Sequence, residues 1–172
     1  MPMHRIYLII CSLLIISSTF AQDMSNVRLD SLLKEYIPSA QLEGTLGSWQ
    51  ISLEETIMLC ITDEAHDRMR IISPVIEASS ATPEQILACM EANFHTALDV
   101  KYAIADDVIW VAFIHPLRAL RDEQFLDAIA QVRSAAQTFG STYASTDLVF
   151  PKSKNDEDQR KADEKKARIK KL

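Results

Sequence analysis

The chain has 172 residues, 48% of them hydrophobic and only three of them glycine, which suits one packed domain and excludes a disordered chain. Its net charge of −6 is unevenly placed: eight basic and 19 acidic residues leave 22–151 at −11, while nine basic and five acidic residues give 152–172 a charge of +4. So acidic a body lacks the basic face that phosphate contacts need, which excludes a nucleic-acid-binding role.

In chain order, "MPMHRIYLIICSLLIISSTFAQ" opens with His4 and Arg5, continues with a largely apolar run over 6–16, and closes on small residues around Ala21. This is the pattern of a secretory signal peptide cleaved after Ala21. An uncleaved anchor is the alternative, but the run is shorter than the roughly 20 residues a spanning helix needs. Cys11 lies inside the run with no small-residue box before it, so it is not a lipoprotein cysteine. The expected organisation is a leader over 1–21, a folded α+β domain over 22–150, and a charged tail over 151–172. The expected location is outside the cytoplasm, in a periplasm or secreted.

"NVRLDSLLKEYIPSA" sets Leu29, Leu32, Leu33, Tyr36 and Ile37 on one helical stripe, with Asn26 as the expected cap and Pro38 as the stop. "LEGTLGSWQ" reads as a loop entering a strand. Trp49, Ile51 and Leu53 alternate with polar residues, the period of a half-buried strand. Ile57, Leu59 and Ile61 then alternate with Met58 and Cys60, so both sides of the next strand are apolar and a central place is expected. "DEAHD" is a polar turn, and "RMRIISPVIEAS" is a third strand with Pro74 at an edge or bulge.

"TPEQILACMEANF" carries the clearest local signal. Thr82 caps a helix, Pro83 takes its first position, and Gln85 closes a capping box. Ile86, Cys89, Met90, Asn93 and Phe94 fall on or near one face of it. "VKYAI" and "VIWVAFIHP" form a hairpin about Asp106 and Asp107, whose side chains suit a turn. The near-continuous apolar run over 108–114 predicts a strand covered on both faces, with a second subunit as one candidate cover. "DEQFLDAIAQVRSAAQTFGSTY" is a long helix, capped by Asp122, that buries Phe125, Ile129, Val132, Ala136 and Phe139. The tail from Pro151 has almost no apolar residues and is expected to be solvated, with contact to an anionic surface as the alternative. The order α-β-β-β-α-β-β-α predicts an α+β fold: an antiparallel sheet of about five strands with helices packed mainly on one face.

The segments "RMRIISPV", "MEANFHTALDVKYAIADDVIWVAFIHPL" and "FLDAIAQVRSAAQTFGSTY" resemble the type III secretion chaperone-like family, including the YbjN-like proteins. The shared features fall on Arg70 to Val75, on Asn93 and Phe94, on the hairpin over 103–110 and on the last helix, and span most of 26–150. The resemblance implies a small, acidic, usually dimeric protein that binds segments of other proteins across its surface. The leader and the basic tail fall outside the family pattern.

Several side chains invite a chemical reading. His95 and Asp99, four apart, would share a helix face and suit a metal pair, but two ligands are too few, and a helix-end histidine followed by a loop aspartate is the simpler expectation. Asp106 and Asp107 could be paired acids, yet a hairpin tip supplies solvent rather than a cleft. His115 could act as a base; a strand-end histidine bonding a loop carbonyl is the plainer reading. Cys60 and Cys89 are expected to be buried thiols, with a disulfide as the alternative that export would permit. No nucleophile elbow, phosphate loop or zinc-protease spacing occurs, so no catalytic residue, metal or cofactor is expected. The best binding candidates are Trp49, Trp110 and Phe113, whichever of them faces the side of the sheet left open by the helices. The expected function is therefore non-enzymatic binding of a protein or peptide, with a homodimer as a candidate assembly. A small-molecule-binding protein or enzyme with a pocket between sheet and helices is the alternative. An enclosed pocket of converging polar groups would favour the latter, an open apolar sheet face the former.

Overall fold

The computed structural model describes residues 23–146. The leader over 1–21 and the tail over 151–172 lie outside the described residues.

The elements run α1 (Asn26–Tyr36), β1 (Leu42–Thr45), β2 (Ser48–Leu53), β3 (Thr56–Asp63), β4 (Arg68–Glu77), α2 (Pro83–His95), β5 (Lys101–Ala105), β6 (Val108–His115) and α3 (Asp122–Gln137). The strands form one antiparallel sheet in the order β1-β2-β3-β4-β6-β5. The fold is α+β, as expected, but with six strands rather than about five. The additional strand is β1, read from sequence as loop. It is short and polar and carries Gly44, whose φ of +117° disfavours any other residue. A Cβ there would also run into the carbonyl oxygen of Ser48.

α2 starts as its sequence dictates. The Thr82 hydroxyl accepts from the Gln85 N–H at 3.2 Å, and the Gln85 side chain accepts from the Thr82 N–H at 2.9 Å. The other two caps are shifted by one residue. Ser25, not Asn26, caps α1 by accepting from the Arg28 N–H. Arg121 is the capping position of α3, with the Gln124 side chain accepting from its N–H, so Asp122 lies in the first turn. There Asp122 pairs with Arg28 and ties the starts of α1 and α3 together.

α3 lies across β3, β4 and β6, and α2 lies against β5. Between helices and sheet sits a single core. It takes Leu29, Leu32 and Leu33 from α1, Phe125, Ile129 and Val132 from α3, and the inward-pointing residues of the strands. Pairing carries one set across the sheet: Trp49 faces Cys60, Cys60 faces Ile71, and Ile71 faces Phe113. These side chains all lie on the helix side, because strand side chains alternate faces and the register keeps them aligned. Pro74 sits in central β4, where the register shifts between Pro74 and Ile76. The bulge absorbs the missing donor, one of the two placements expected for this proline.

The other face carries no helix. Within the chain, only one face of β6 is covered. Ile109, Val111 and Phe113 are buried, Trp110 and Ala112 are half-buried, and Ile114 is 66% exposed. An apolar run without alternation looks the same in sequence whether its second face is covered or open.

Candidate protein-binding surfaces

The helix-free face is organised in three rungs across β3, β4 and β6. The first is Ile57, Pro74 and Trp110; the second Leu59, Ile72 and Ala112; the third Ile61, Arg70 and Ile114. Eight of these nine side chains are apolar, and all nine are exposed or half-buried. Trp110 is anchored at one end of the patch, its indole N–H donating to the Ala105 carbonyl at 3.1 Å. The bond fixes the ring while leaving its apolar surface toward solvent. Open grooves flank the patch at both ends of the strands. One of about 580 Å³ is lined by Glu54, Glu55, Ile57 and Pro74, the other, about 670 Å³, by Ile61, Asp63, Arg68 and Arg70.

Of the three expected anchors, the structure brings only Trp110 to this face. Trp49 and Phe113 are 3% and 6% exposed, on the helix side of the sheet. The Trp49 indole N–H donates to Asp30 at 3.1 Å, which fastens α1 to β2. The hydrogen bonds that Asp30 accepts from Lys34 and from Trp49 hold its carboxyl below the usual range. Phe113 stacks on His115 with ring centroids 5.8 Å apart.

A second exposed apolar surface was not legible as such. On α2 the residues that turn inward are Cys89 and Ala92, whereas Leu87, Met90 and Phe94 point outward, with Phe94 82% exposed. Ile104 of β5 stands beside them, and a groove of about 200 Å³ lined by Ile86, Cys89, Met90, Tyr102 and Ile104 runs between helix and strand. The sequence expectation put Met90 and Phe94 on the buried face. The signal that could have separated them was length: small residues at 88, 89 and 92 mark a close helix–sheet approach, which turns the larger side chains outward.

The candidate chemical residues do not assemble. Asp99 is held by Gln131, whose amide nitrogen donates to Asp99 at 3.1 Å and to Asp127 at 2.7 Å, while its oxygen accepts from the Asp99 N–H. His95 instead sets its ring edge-on against Phe94. Asp106 and Asp107 form the tight turn between β5 and β6, both with positive φ, the two left-handed residues that a type I′ hairpin requires. The His115 ring meets the Pro116 carbonyl at 2.8 Å, the loop-carbonyl bond expected of it. Among the described residues no group of three or more His, Cys, Asp or Glu is placed to hold a metal ion. A recess of about 220 Å³ between β6 and α3 is lined by Asp99, His115, Asp127 and Gln131. Its amide is spent bridging the two carboxylates rather than left free for a ligand.

Cys60 and Cys89 are both buried and free. Burial pushes the Cys60 thiol up to about 12 and raises that of Cys89 as well. Thiolate, the reactive form, is therefore scarce at neutral pH. The expected result is that Ellman's reagent leaves both untouched in the native chain at pH 8 and titrates both once the chain is denatured. Native labelling of Cys60 at the rate of a free thiol would contradict this.

Chains of several solved protein complexes are similar in shape. A chain of the HopA1–SchA chaperone–effector complex is 10% identical, with 66% of this chain and 94% of that one covered at a TM-score of 0.50. A chain of the ExsC–ExsE complex is 13% identical, with 65% and 90% covered at 0.52. The Yersinia pestis type III secretion chaperone SycH in complex with a fragment of YscM2 is more distant, 14% identical with 64% and 98% covered at 0.45. No protein-family model and no curated protein matches the chain. The fold is thus chaperone-like, as the sequence resemblance implied; the narrower likeness to YbjN-like proteins is not part of that finding.

Proposed function

We propose that this protein is an exported, non-enzymatic, chaperone-like module that holds a segment of another protein on the helix-free face of its sheet and pairs with a second copy of itself through α2. One observation carries the reading: the open face is a continuous apolar patch centred on Ile72 with Trp110 at its margin. Exposed apolar area of this kind marks interaction sites in soluble proteins. The fold neighbour from a chaperone–effector complex supports the same reading. Export rests on the leader pattern ending at Ala21, and a periplasmic or secreted location follows from it.

The patch also selects the form of the bound segment. β3, β4 and β6 have their main-chain groups paired on both sides. A partner lying over them meets side chains only, and an extended segment would leave its own N–H and C=O groups without partners. A helix satisfies these internally and presents an apolar stripe.

The test uses an uncharged amphipathic helical peptide of leucine, alanine and glutamine. Its addition should shift Trp110 emission to the blue, since that ring is half-exposed, while buried Trp49 contributes a constant background. No change in the Trp110 component at any peptide concentration up to a millimolar would refute binding at this face.

The second copy is assigned to α2 because that surface is self-complementary. A twofold pairing of antiparallel helices sets Leu87 against Phe94 of the other copy. It also brings Glu84, in the first turn, near His95 in the last.

A further inference from the structure

We propose that the segment held on the sheet face is a charge-segregated amphipathic helix, with a basic half over one end of the strands and an acidic half over the other. The inference rests on the sheet-face reading above and names its partner more closely. The apolar patch lies between two poles of opposite sign. At the Trp110 end stand Glu55 in the β2–β3 turn, Glu77 at the end of β4, and Asp106 and Asp107 in the β5–β6 turn. Among the described residues none of these four carboxylates forms an ion pair. The register puts Glu77 opposite Val108 on the open face, and the Asp107 carbonyl accepts from the Ala78 N–H at 2.8 Å, which draws two of the carriers together.

At the Ile114 end the sign reverses. Arg68 and Arg70 open β4 there, and Lys101 opens β5 one rung further in, opposite Ala112; all three are exposed on the helix-free face, with Arg68 and Lys101 donating to the Asp67 and Leu98 carbonyls. Arg70 stands between Ile61 and Ile114, and its guanidinium has no hydrogen-bond partner among the described residues. The carboxylates nearby are already engaged. Asp63 holds His66 at 2.7 Å, Glu64 accepts from the Asn26 N–H at 2.7 Å, and Asp67 accepts from the Arg118 N–H at 2.7 Å. Most other cations of the body are spent in pairs elsewhere: Arg28 with Asp122, Lys34 with Asp30, Arg133 with Glu54. In a body with eight basic and 19 acidic residues, Arg68 and Arg70 at one end of the apolar face, with Lys101 level with its middle rung and none of the three in an ion pair among the described residues, are a polarity that a partner can read.

The dimensions agree. From Glu77 to Arg68 β4 spans ten residues, about 30 Å at the strand rise. A helix of about 18 residues covers about 27 Å, so one helix lying along the strands reaches both poles while its apolar stripe rests on the three rungs.

Two labelled 18-residue peptides test this. Both carry the same leucine stripe and the same numbers of lysine and glutamate. One has glutamate in its first half and lysine in its second; the other interleaves them. Fluorescence anisotropy at low salt should show the segregated peptide binding about five- to tenfold tighter, the sum of a few solvent-exposed charge contacts. The gain should vanish in 1 M salt, where screening reaches about 3 Å. Interleaving gains i,i+4 pairs in the free peptide and segregation gains from the helix dipole, so circular dichroism of the free peptides is read beside the affinities and any difference in helicity is subtracted. Arg68→Glu with Arg70→Glu should erase the preference and raise affinity for an all-lysine peptide of the same stripe. If that variant does not fold, Glu55→Lys with Glu77→Lys makes the same test at the other pole. Equal affinities for the two peptides, with the uncharged peptide still bound, would overturn charge segregation and leave the sheet-face reading standing. Failure of all the peptides to bind would overturn both.

Discussion

Trp110→Ala is expected to weaken binding of the amphipathic peptide by about 2 kcal/mol, the lower bound for an aromatic hot spot and fitting for one at the patch margin, which is roughly 30-fold in Kd. The ring is the largest apolar side chain on the open face. Its N–H is already satisfied by the Ala105 carbonyl, so a partner gains the apolar surface without having to supply an acceptor. The fold should be nearly indifferent. The indole is half-buried against the β5 margin and lies outside the core formed by Trp49, Ile71 and Phe113 on the other side. The freed Ala105 carbonyl is exposed and can take water. Peptide affinity by anisotropy, read beside the thermal midpoint, separates the two effects. A variant that binds as tightly as the parent would remove Trp110 from the site. Trp110→Phe, which keeps most of the ring, should fall between them.

What sequence conveyed and what it concealed divides along physical lines. The Thr82–Gln85 cap is local, set by residues three apart, and it was legible. The alternation at Trp49 and Ile51 was legible because one face of β2 is apolar and the other polar. β3 and β6 were harder. Ile57, Leu59 and Ile61 are as apolar as Met58 and Cys60 on the opposite side, so period alone cannot say which set is inside. Which side the helices cover depends on contacts distant in sequence, such as Asp30 with Trp49 and Arg28 with Asp122. The same ambiguity hid the binding site. Trp49, Trp110 and Phe113 are equal as aromatic residues in strands, and only the assembled sheet sorts them into two core residues and one surface anchor. An apolar run on a strand whose second face stays open is itself a conflict between local pattern and a water-exposed position. Such conflicts collect where a protein binds something.

Phe94→Asp is expected to separate the copies without unfolding either. Phe94 is 82% exposed, so its removal takes almost nothing from the core, and the inward residues of α2, Cys89 and Ala92, are untouched. In a twofold interface the substitution acts twice, because each copy brings its own carboxylate into apolar surface formed by Leu87 and Met90. Burying unpaired charge there should weaken the dimer by about 3 kcal/mol or more, at least 100-fold in dissociation constant. An aspartate in the last turn also opposes the helix dipole by about 0.3–1 kcal/mol. Phe94→Lys, which the dipole favours, is the control that assigns the loss to the interface rather than to a frayed helix. Light scattering across a concentration series should show the parent at dimer mass where both variants run as monomers, with all three melting within a few degrees of one another. A parent that stays monomeric at a few hundred micromolar, or an aspartate variant that keeps dimer mass, would refute pairing through α2. Peptide binding at Trp110 should survive in both variants, because the sheet face and the outer face of α2 share no residue. If it falls with the dimer, the held segment must span both copies.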